Sequence, residues 1–458
     1  MLHGRYLGIA CIFSVLTVLT FSCARYVAKP LDEPALAERL RGETLATLED
    51  KAHQVRLPGV ATEVHIDAQG TMNALGAAAL AVVAQPNLRA ARARAGIAHA
   101  QLMAVGILPN PVLSAGLDVP ILGSSGAVIG LGLGLSWEIT ALLTRPANRQ
   151  AAQAQAEAVD LEIAWEEWQT AMAAHLHATR LVWLQTRVAT ADVDATLARE
   201  FATRLGKAVG QHAATSLDAD AASAAAENAA QRALALRSLY DAEKLALKRA
   251  IGLPGTASIT VIEPTPMTPG PPPDAAALRE QMPAHRLDLL GLQRAYASQD
   301  ARLHAAVLSQ FPRLALGINT ARDTAGVGTG GLGVAIELPI FDHGQARIAL
   351  ETATREQLFE IYLARRADAQ ADLARVLLEL DTTEAQLVQV AKVVERLQKL
   401  AAALTLALEH RQADAVAVFA VRQQLMDARQ NHLGLAQLHA ELRVALQAIV
   451  GQYLPEGR

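Results

Sequence analysis

Residues 129–137 read Ile129-Gly130-Leu131-Gly132-Leu133-Gly134-Leu135-Ser136-Trp137. A period of two is the signature of a strand, and here it makes one face apolar and the other glycine and serine. Upstream, Leu113, Ala115, Leu117 and Val119 alternate with Ser114, Gly116 and Asp118. Further on, Leu314, Leu316 and Ile318 alternate with Ala315, Gly317 and Asn319, and Leu332, Val334, Ile336 and Leu338 with Gly331, Gly333, Ala335 and Glu337. Strands of about nine to eleven residues with this pattern suit a transmembrane β-barrel. Hairpins lying on a soluble core would give a similar pattern, but the chain has little other apolar material for them to cover. Four strands cannot close a barrel, and open edges are intolerable in hydrocarbon. The smallest bacterial barrels have about eight strands. Three copies supply twelve, so the membrane reading requires oligomerisation. Residues 121–127 and 321–330, rich in glycine and serine, become the hairpin tips.

The composition fits. Of 458 residues 52% are hydrophobic but only 4% aromatic, so alanine replaces the usual bulky core. That excess favours long, closely packed helices over a thick globular core. A net charge of −4 argues against nucleic acid as a partner. Cys11 and Cys23 both fall at the very start, which excludes a disulfide framework.

Residues 1–22 read as an export signal: a basic lead with Arg5, then the apolar run 7–21, too short for a span. Ser22-Cys23 resembles a lipoprotein cleavage site with Cys23 as the acylated residue, although Thr20 stands where that site carries leucine. No later segment offers the roughly 20 apolar residues of a transmembrane helix.

An echo of about 200 residues organises the rest. Gln85-Pro86 and Met282-Pro283 each open an alanine-rich helix, and Pro86 and Pro283 stand 197 apart. Pro111 and Pro312, like Gln211 and Gln412, stand 201 apart. The domains expected are an N-terminal anchoring and wrapping segment (23–73), a first repeat (74–260), a Pro-rich linker (261–274) and a second repeat (275–452). Proline-free runs over 147–211 and 342–411 predict two helices of roughly 100 Å. The shorter runs match these in length when stacked end to end, 216–252 with 282–310 and 413–450 with 85–108.

These features together resemble the TolC-like outer-membrane channel family. The residues that carry the likeness are Asn87-Leu88-Arg89-Ala90-Ala91-Arg92-Ala93 in the entry helix, and Leu108-Pro109-Asn110-Pro111 before the first strand. At the strand exits they are Leu135-Ser136-Trp137-Glu138-Ile139 and Leu338-Pro339-Ile340-Phe341-Asp342, the latter followed by Gly344. The resemblance covers about 74–452. It implies a mainly α fold with a β-barrel portion: a helical barrel plus four strands per protomer in a trimeric, twelve-stranded barrel. It also implies a Gram-negative outer-membrane duct of a tripartite efflux system, passing metal ions or drugs. The implied partners are a homotrimer, outer-membrane lipid, a periplasmic adaptor (membrane fusion protein) and an inner-membrane pump of the RND type.

In that family the periplasmic helix tips meet the adaptor and constrict the tunnel, so Gly210, Thr215, Ser216, Asp218, Arg411 and Asp414 are candidate contact or gate residues. The plain alternative is that they are helix caps: Gly210 supplies a positive φ, Thr215 with Asp218 forms a capping box, and Asp414 is an N-cap. Asp218, Asp220 and Asp414, brought together threefold, would favour cations at a narrow aperture.

No enzyme, cofactor or metal site is expected. Gly326-Val327-Gly328-Thr329-Gly330-Gly331 matches a dinucleotide pattern but leads into a strand, not a helix. His175 and His177 point away from each other on a helix, and Trp165, Trp168, Met172 and Leu176 form a packing stripe. A second function class, a soluble coiled-coil lipoprotein scaffold or adaptor, shares the helices and Cys23 but needs no matched membrane-length hairpins.

Overall fold

The computed structural model describes residues 25–41, 44–60, 64–122, 126–212, 214–262, 274–410 and 412–454. The expectations for the leader, Cys23, Arg411 and most of the Pro-rich linker lie outside the described residues. The chain divides into two units, Met1–Glu43 and Thr44–Arg458. Within the first, helix α1 (Glu33–Arg41) follows residues 25–32, which have no regular structure.

The second unit holds α2 (Leu45–Ala52), β1 (Thr71–Met72), α3 (Ala74–Ala84), α4 (Pro86–Gly106), β2 (Val112–Asp118), β3 (Gly130–Glu138), α5 (Thr140–Gly210) and α6 (Ser216–Ile251). It continues with β4 (Thr260–Val261), α7 (Ala275–His285), α8 (Leu287–Leu308), β5 (Arg313–Arg322), β6 (Gly328–Glu337), α9 (Gln345–Glu409) and α10 (Ala415–Val450). At 1.5 Å per residue, the 71 residues of α5 span roughly 105 Å. It begins earlier than the proline-free run suggests and carries Pro146 inside it. Proline cannot donate to the carbonyl four residues back, and neighbouring turns and packing tolerate the gap.

Each half starts with an eleven-residue helix, a one-residue break, and a helix of 21 or 22 residues. The breaks fall at Gln85 and Arg286, 201 positions apart, and both residues are extended. This corrects the pairing of Pro86 with Pro283. Pro86 is the first residue of its helix, where a missing N–H costs nothing, whereas Pro283 lies within α7. Nine of the eleven residues of α3 are buried. A helix apolar all round belongs in a core. Its Leu80 and Ala77 pack with Leu181 of α5 and Leu247 and Ile251 of α6, while Ala78 and Val82 meet Trp165, Trp168 and Met172. In the second half, Leu278 and Met282 of α7 cover Leu373 and Val376 of α9 and Leu442 and Leu446 of α10.

The end-to-end stacking also differs from the length matching. Helix α6 ends in a Schellman motif at Gly252 (φ 91°), with Leu253 N–H on the Lys248 carbonyl at 2.8 Å. Gly252 abuts the Gln85–Pro86 break, and the Gln85 amide donates to the carbonyls of Arg249 and Ala250. Gly451 (φ 85°) abuts His285 and Arg286 in the same way. So α6 continues into α4 and α10 into α8, each within its own half. Equal lengths alone could not decide between these pairings; the contact at the two glycines does.

Side by side, the order is α4–α5–α8–α9 near the sheet and α6–α5–α10–α9 away from it. The α5–α6 interface is alanine and leucine: Leu184, Ala191, Ala195 and Ala198 against Ala229, Ala233 and Leu236. The α5–α10 seam carries polar pairs. Arg180 makes a two-pronged bond to Glu441 at 3.0 and 2.8 Å, and Arg187, seven residues on, holds Gln437 at 2.9 Å.

Both breaks depend on glycine twice over, through positive φ and through space. A Cβ at Gly252 would lie 2.8 Å from Gln85 Cα, and one at Gly451 2.7 Å from the His285 carbonyl oxygen. Gly252→Ala and Gly451→Ala are each expected to cost about 2 kcal/mol or more. Gly206→Ala, in open space on α5, is expected to be neutral or slightly stabilising. Denaturant unfolding followed by helical circular dichroism checks this.

Candidate membrane-spanning sheet and helical tips

The four long strands form one antiparallel sheet in the order β2-β3-β5-β6. Register decides whether their apolar faces coincide, because a one-residue slip would turn a strand over. They do coincide. Leu113 pairs with Leu135, Leu135 with Ile318 and Ile318 with Leu332; one step along, Trp137 pairs with Leu316 and Leu316 with Val334. The opposite face is small or polar, as in the row Ser114–Gly134–Asn319–Gly331 and in Ser136–Gly317–Gly333. Among the described residues nothing covers the greasy face: Leu133 is 54% exposed, Ile318 57% and Leu332 87%. Strands β2 and β6 are edges with no further strand beside them among the described residues. A ten-residue strand tilted by about 40° rises roughly 25 Å, the height of a barrel's apolar band.

Both ends of the sheet are tied down. At the helix end, the Trp137 indole donates to the Pro109 carbonyl at 2.8 Å. The Thr140 hydroxyl accepts from Leu314 N–H at 2.6 Å, stitching the start of α5 to β5. Arg313 and Glu337 pair across the strands at 3.6 Å. Phe311 and Phe341 are exposed nearby in sequence. At the far end the second hairpin turns over residues 323–327, tighter than the expected 321–330. The Asp323 carboxylate accepts from Ala325 and Val327 N–H, and Gly326 takes φ 81°. Of the first tip, residues 123–125 lie outside the described residues.

The helical tips lie at the other ends of α5 and α9. Thr215 caps α6 with its hydroxyl on Asp218 N–H at 3.2 Å, and the Asp218 carboxylate returns to Thr215 N–H at 3.2 Å. Asp414 caps α10 through Val416 N–H at 3.2 Å. Both carboxylates therefore face their own helix N-termini, where the dipole favours negative charge, while Asp220 is exposed. Gly210 is the last helical residue of α5 and has no positive φ; His212 takes it instead (φ 54°), as histidine more readily does than most residues. Ser216 opens α6 and is exposed. The sequence reading missed Leu217 beside it, 76% exposed, and the Phe201–Phe419 stack across α5 and α10 at 5.0 Å.

The two wall histidines serve structure. Burial lowers the pKa of His175 to about 4, so it stays neutral against the Tyr453 hydroxyl at 3.0 Å. His177 meets Glu243 at 2.6 Å.

A four-stranded sheet continued by paired helices of this length defines the fold of TolC-like outer-membrane channels. The chain is similar to the outer-membrane channel OprN, with a TM-score of 0.69 and 16% identity over 94% of this chain and 98% of that one. It is equally similar to the outer membrane protein VceC from Vibrio cholerae (TM-score 0.69, 16% identity, 83% of this chain and 96% of that one). In sequence, 191 residues are 29% identical to the pyoverdine export outer membrane protein OpmQ of Pseudomonas aeruginosa. That match spans 40% of this chain and 39% of the relative. No protein-family model matches the chain.

Removing the Thr215 hydroxyl breaks one arm of the capping box. Thr215→Ala is expected to destabilise the start of α6 by about 1 kcal/mol. Amide exchange should then quicken over residues 216–220 and stay unchanged in α3.

Proposed function

We infer that the chain is the outer-membrane duct of a tripartite export system, a passive conduit with no catalytic step. The observation that carries this reading is the sheet: an exposed face that is apolar through its helix-end half and reaches Thr320 and Arg322 toward the hairpin tip, a glycine-rich opposite face, and two unpaired edges. In hydrocarbon every strand N–H and C=O must be paired. Three copies joined β6 to β2 make a twelve-stranded barrel whose small-residue face lines the lumen. The same symmetry brings the free side of α9 against the α4/α6 edge of the next copy and closes a helical tunnel.

In this reading residues 1–22 export the chain, Cys23 carries a lipid, and residues 23–73 wrap the periplasmic part; the two repeats, 74–260 and 275–452, flank the linker 261–274. The tips, with Gly210, Thr215, Ser216, Asp218, Arg411 and Asp414, meet a periplasmic adaptor and narrow the exit from an RND-type pump. The cargo is small solutes, metal ions or drugs, and the partial likeness to OpmQ adds pyoverdine to that range.

Two substitutions on the apolar face test the reading. Leu133→Arg and Leu316→Arg place charges against lipid at about 2–4 kcal/mol each per copy near mid-membrane. The expected result is loss of the detergent-resistant trimer and of membrane insertion, with helix content kept. A chain that with Cys23→Ser becomes soluble and monomeric, whatever stands at Leu133, is instead a lipid-anchored scaffold.

A further inference from the structure

Just below the helix end of the sheet, α4 and α5 enclose a cavity of about 420 Å³. Gln101, Pro109, Arg145 and Asn148 line it, with Arg302 reaching in from α8, and none of its lining residues is acidic. Arg302 is braced by Gln155 at 3.1 Å. Arg145 donates one terminal nitrogen to the Gly106 carbonyl at 2.6 Å, which leaves its buried Nε with no acceptor. Arg145 also borders a second cavity of about 340 Å³ with Pro146, Arg149 and Gln153, again without an acid. From Thr140 to Ala156, α5 carries these two arginines and no carboxylate; the first acid is Glu157. Elsewhere in the wall Arg92 pairs with Glu167 and Arg180 with Glu441, while Arg187 shares the orphaned buried Nε but holds Gln437.

The position matters as much as the charge. Arg145 lies seven residues beyond Glu138, the end of β3, so its backbone sits about 10 Å below the strands. A bilayer's headgroup layer flanks its hydrocarbon by several ångströms on each side, and arginine's long stem spans the remainder. Pro109, on the cavity wall, is bonded to Trp137 of the apolar face, so the cavity adjoins the surface that meets lipid. Two guanidiniums lining one cavity without a carboxylate match a phosphate in charge and geometry.

We propose that Arg145 and Arg302, with Arg149 in the adjoining cavity, form a binding site for the phosphate of an anionic phospholipid in the leaflet adjoining the helices. This rests on the membrane-duct reading. Bound lipid would fasten the wall to the membrane where α5 lacks the hydrogen bond that Pro146 cannot make.

The test uses the full-length trimer in nanodiscs of phosphatidylcholine mixed with phosphatidylglycerol, with the lipids retained after detergent release counted by native mass spectrometry. The wild type should retain phosphatidylglycerol in preference to phosphatidylcholine. Each neutralised arginine should lower that preference about fivefold. Arg302→Gln alters an exposed side chain and Asn148→Glu adds a repelling charge to the cavity wall, so both should act without unfolding the wall. Arg279→Gln, exposed on α7, should retain lipid as the wild type does. Equal retention of the two headgroups, or a preference that survives both Arg302→Gln and Asn148→Glu, overturns the proposal. So does full displacement by millimolar inorganic phosphate, which would mark a free-anion site. A cavity already filled by the neighbouring copy would also show as no preference. A wild type that fails to float with vesicles at all sinks the duct reading itself, whereas flotation without headgroup preference sinks only this site.

Discussion

The structure turns on backbone hydrogen bonds that one chain cannot complete. Among the described residues strands β2 and β6 each show an open edge, and the exposed face of the sheet's helix-end half is leucine, isoleucine, valine and tryptophan. In water such a sheet is an aggregation hazard; in lipid an open edge is prohibitive. Pairing β6 with β2 of another copy answers both problems with the same bonds. In the duct reading, the shape of the subunit and its assembly share one cause, since an exposed row of leucines favours lipid and lipid requires closure.

The helical wall solves a different problem. Its chains are too long to be held by a single core, so the apolar material is concentrated where α3 and α7 lie on the long helices, with the Trp165–Trp168–Met172 stripe beneath α3. Away from that belt, alanine lets helices α5 and α6 approach closely. Between the two hairpins the contact joins the polar pairs Arg180–Glu441 and Arg187–Gln437 to the Phe201–Phe419 stack. Exposed or half-exposed ion pairs add little net stability. Those polar pairs therefore specify register more than they bind, while the close-packed alanine interface holds α5 and α6 together.

Much of this was legible in the residues. The Leu-Gly alternation at 129–137 was sufficient to place a strand and its apolar face, because the period of two needs no tertiary information. Thr215 with Asp218, and Asp414, were readable as caps because capping is local. Gly210 was misleading: it marks the turn, but the backbone reverses two residues later at His212. The small helix α3 left no boundary signal that separated it from the helix opening at Gln85, and alanine and valine have no telling period when every side is buried.

The sequence by itself determined the period of each segment, the faces of the strands, the length of the long helices and the approximate twofold echo, since all of these are set within a few turns of chain. Tertiary structure alone decided which short helix continues into which, since that depends on Gly252 meeting Gln85 and Gly451 meeting Arg286 across more than 160 residues. It alone brought Arg145 and Arg302 to one cavity, from helices that share no local pattern. The physical reason is range: periodicity and capping act over a single turn, whereas a close approach between backbones, or two charges gathered at one depth, exists only once distant segments have packed.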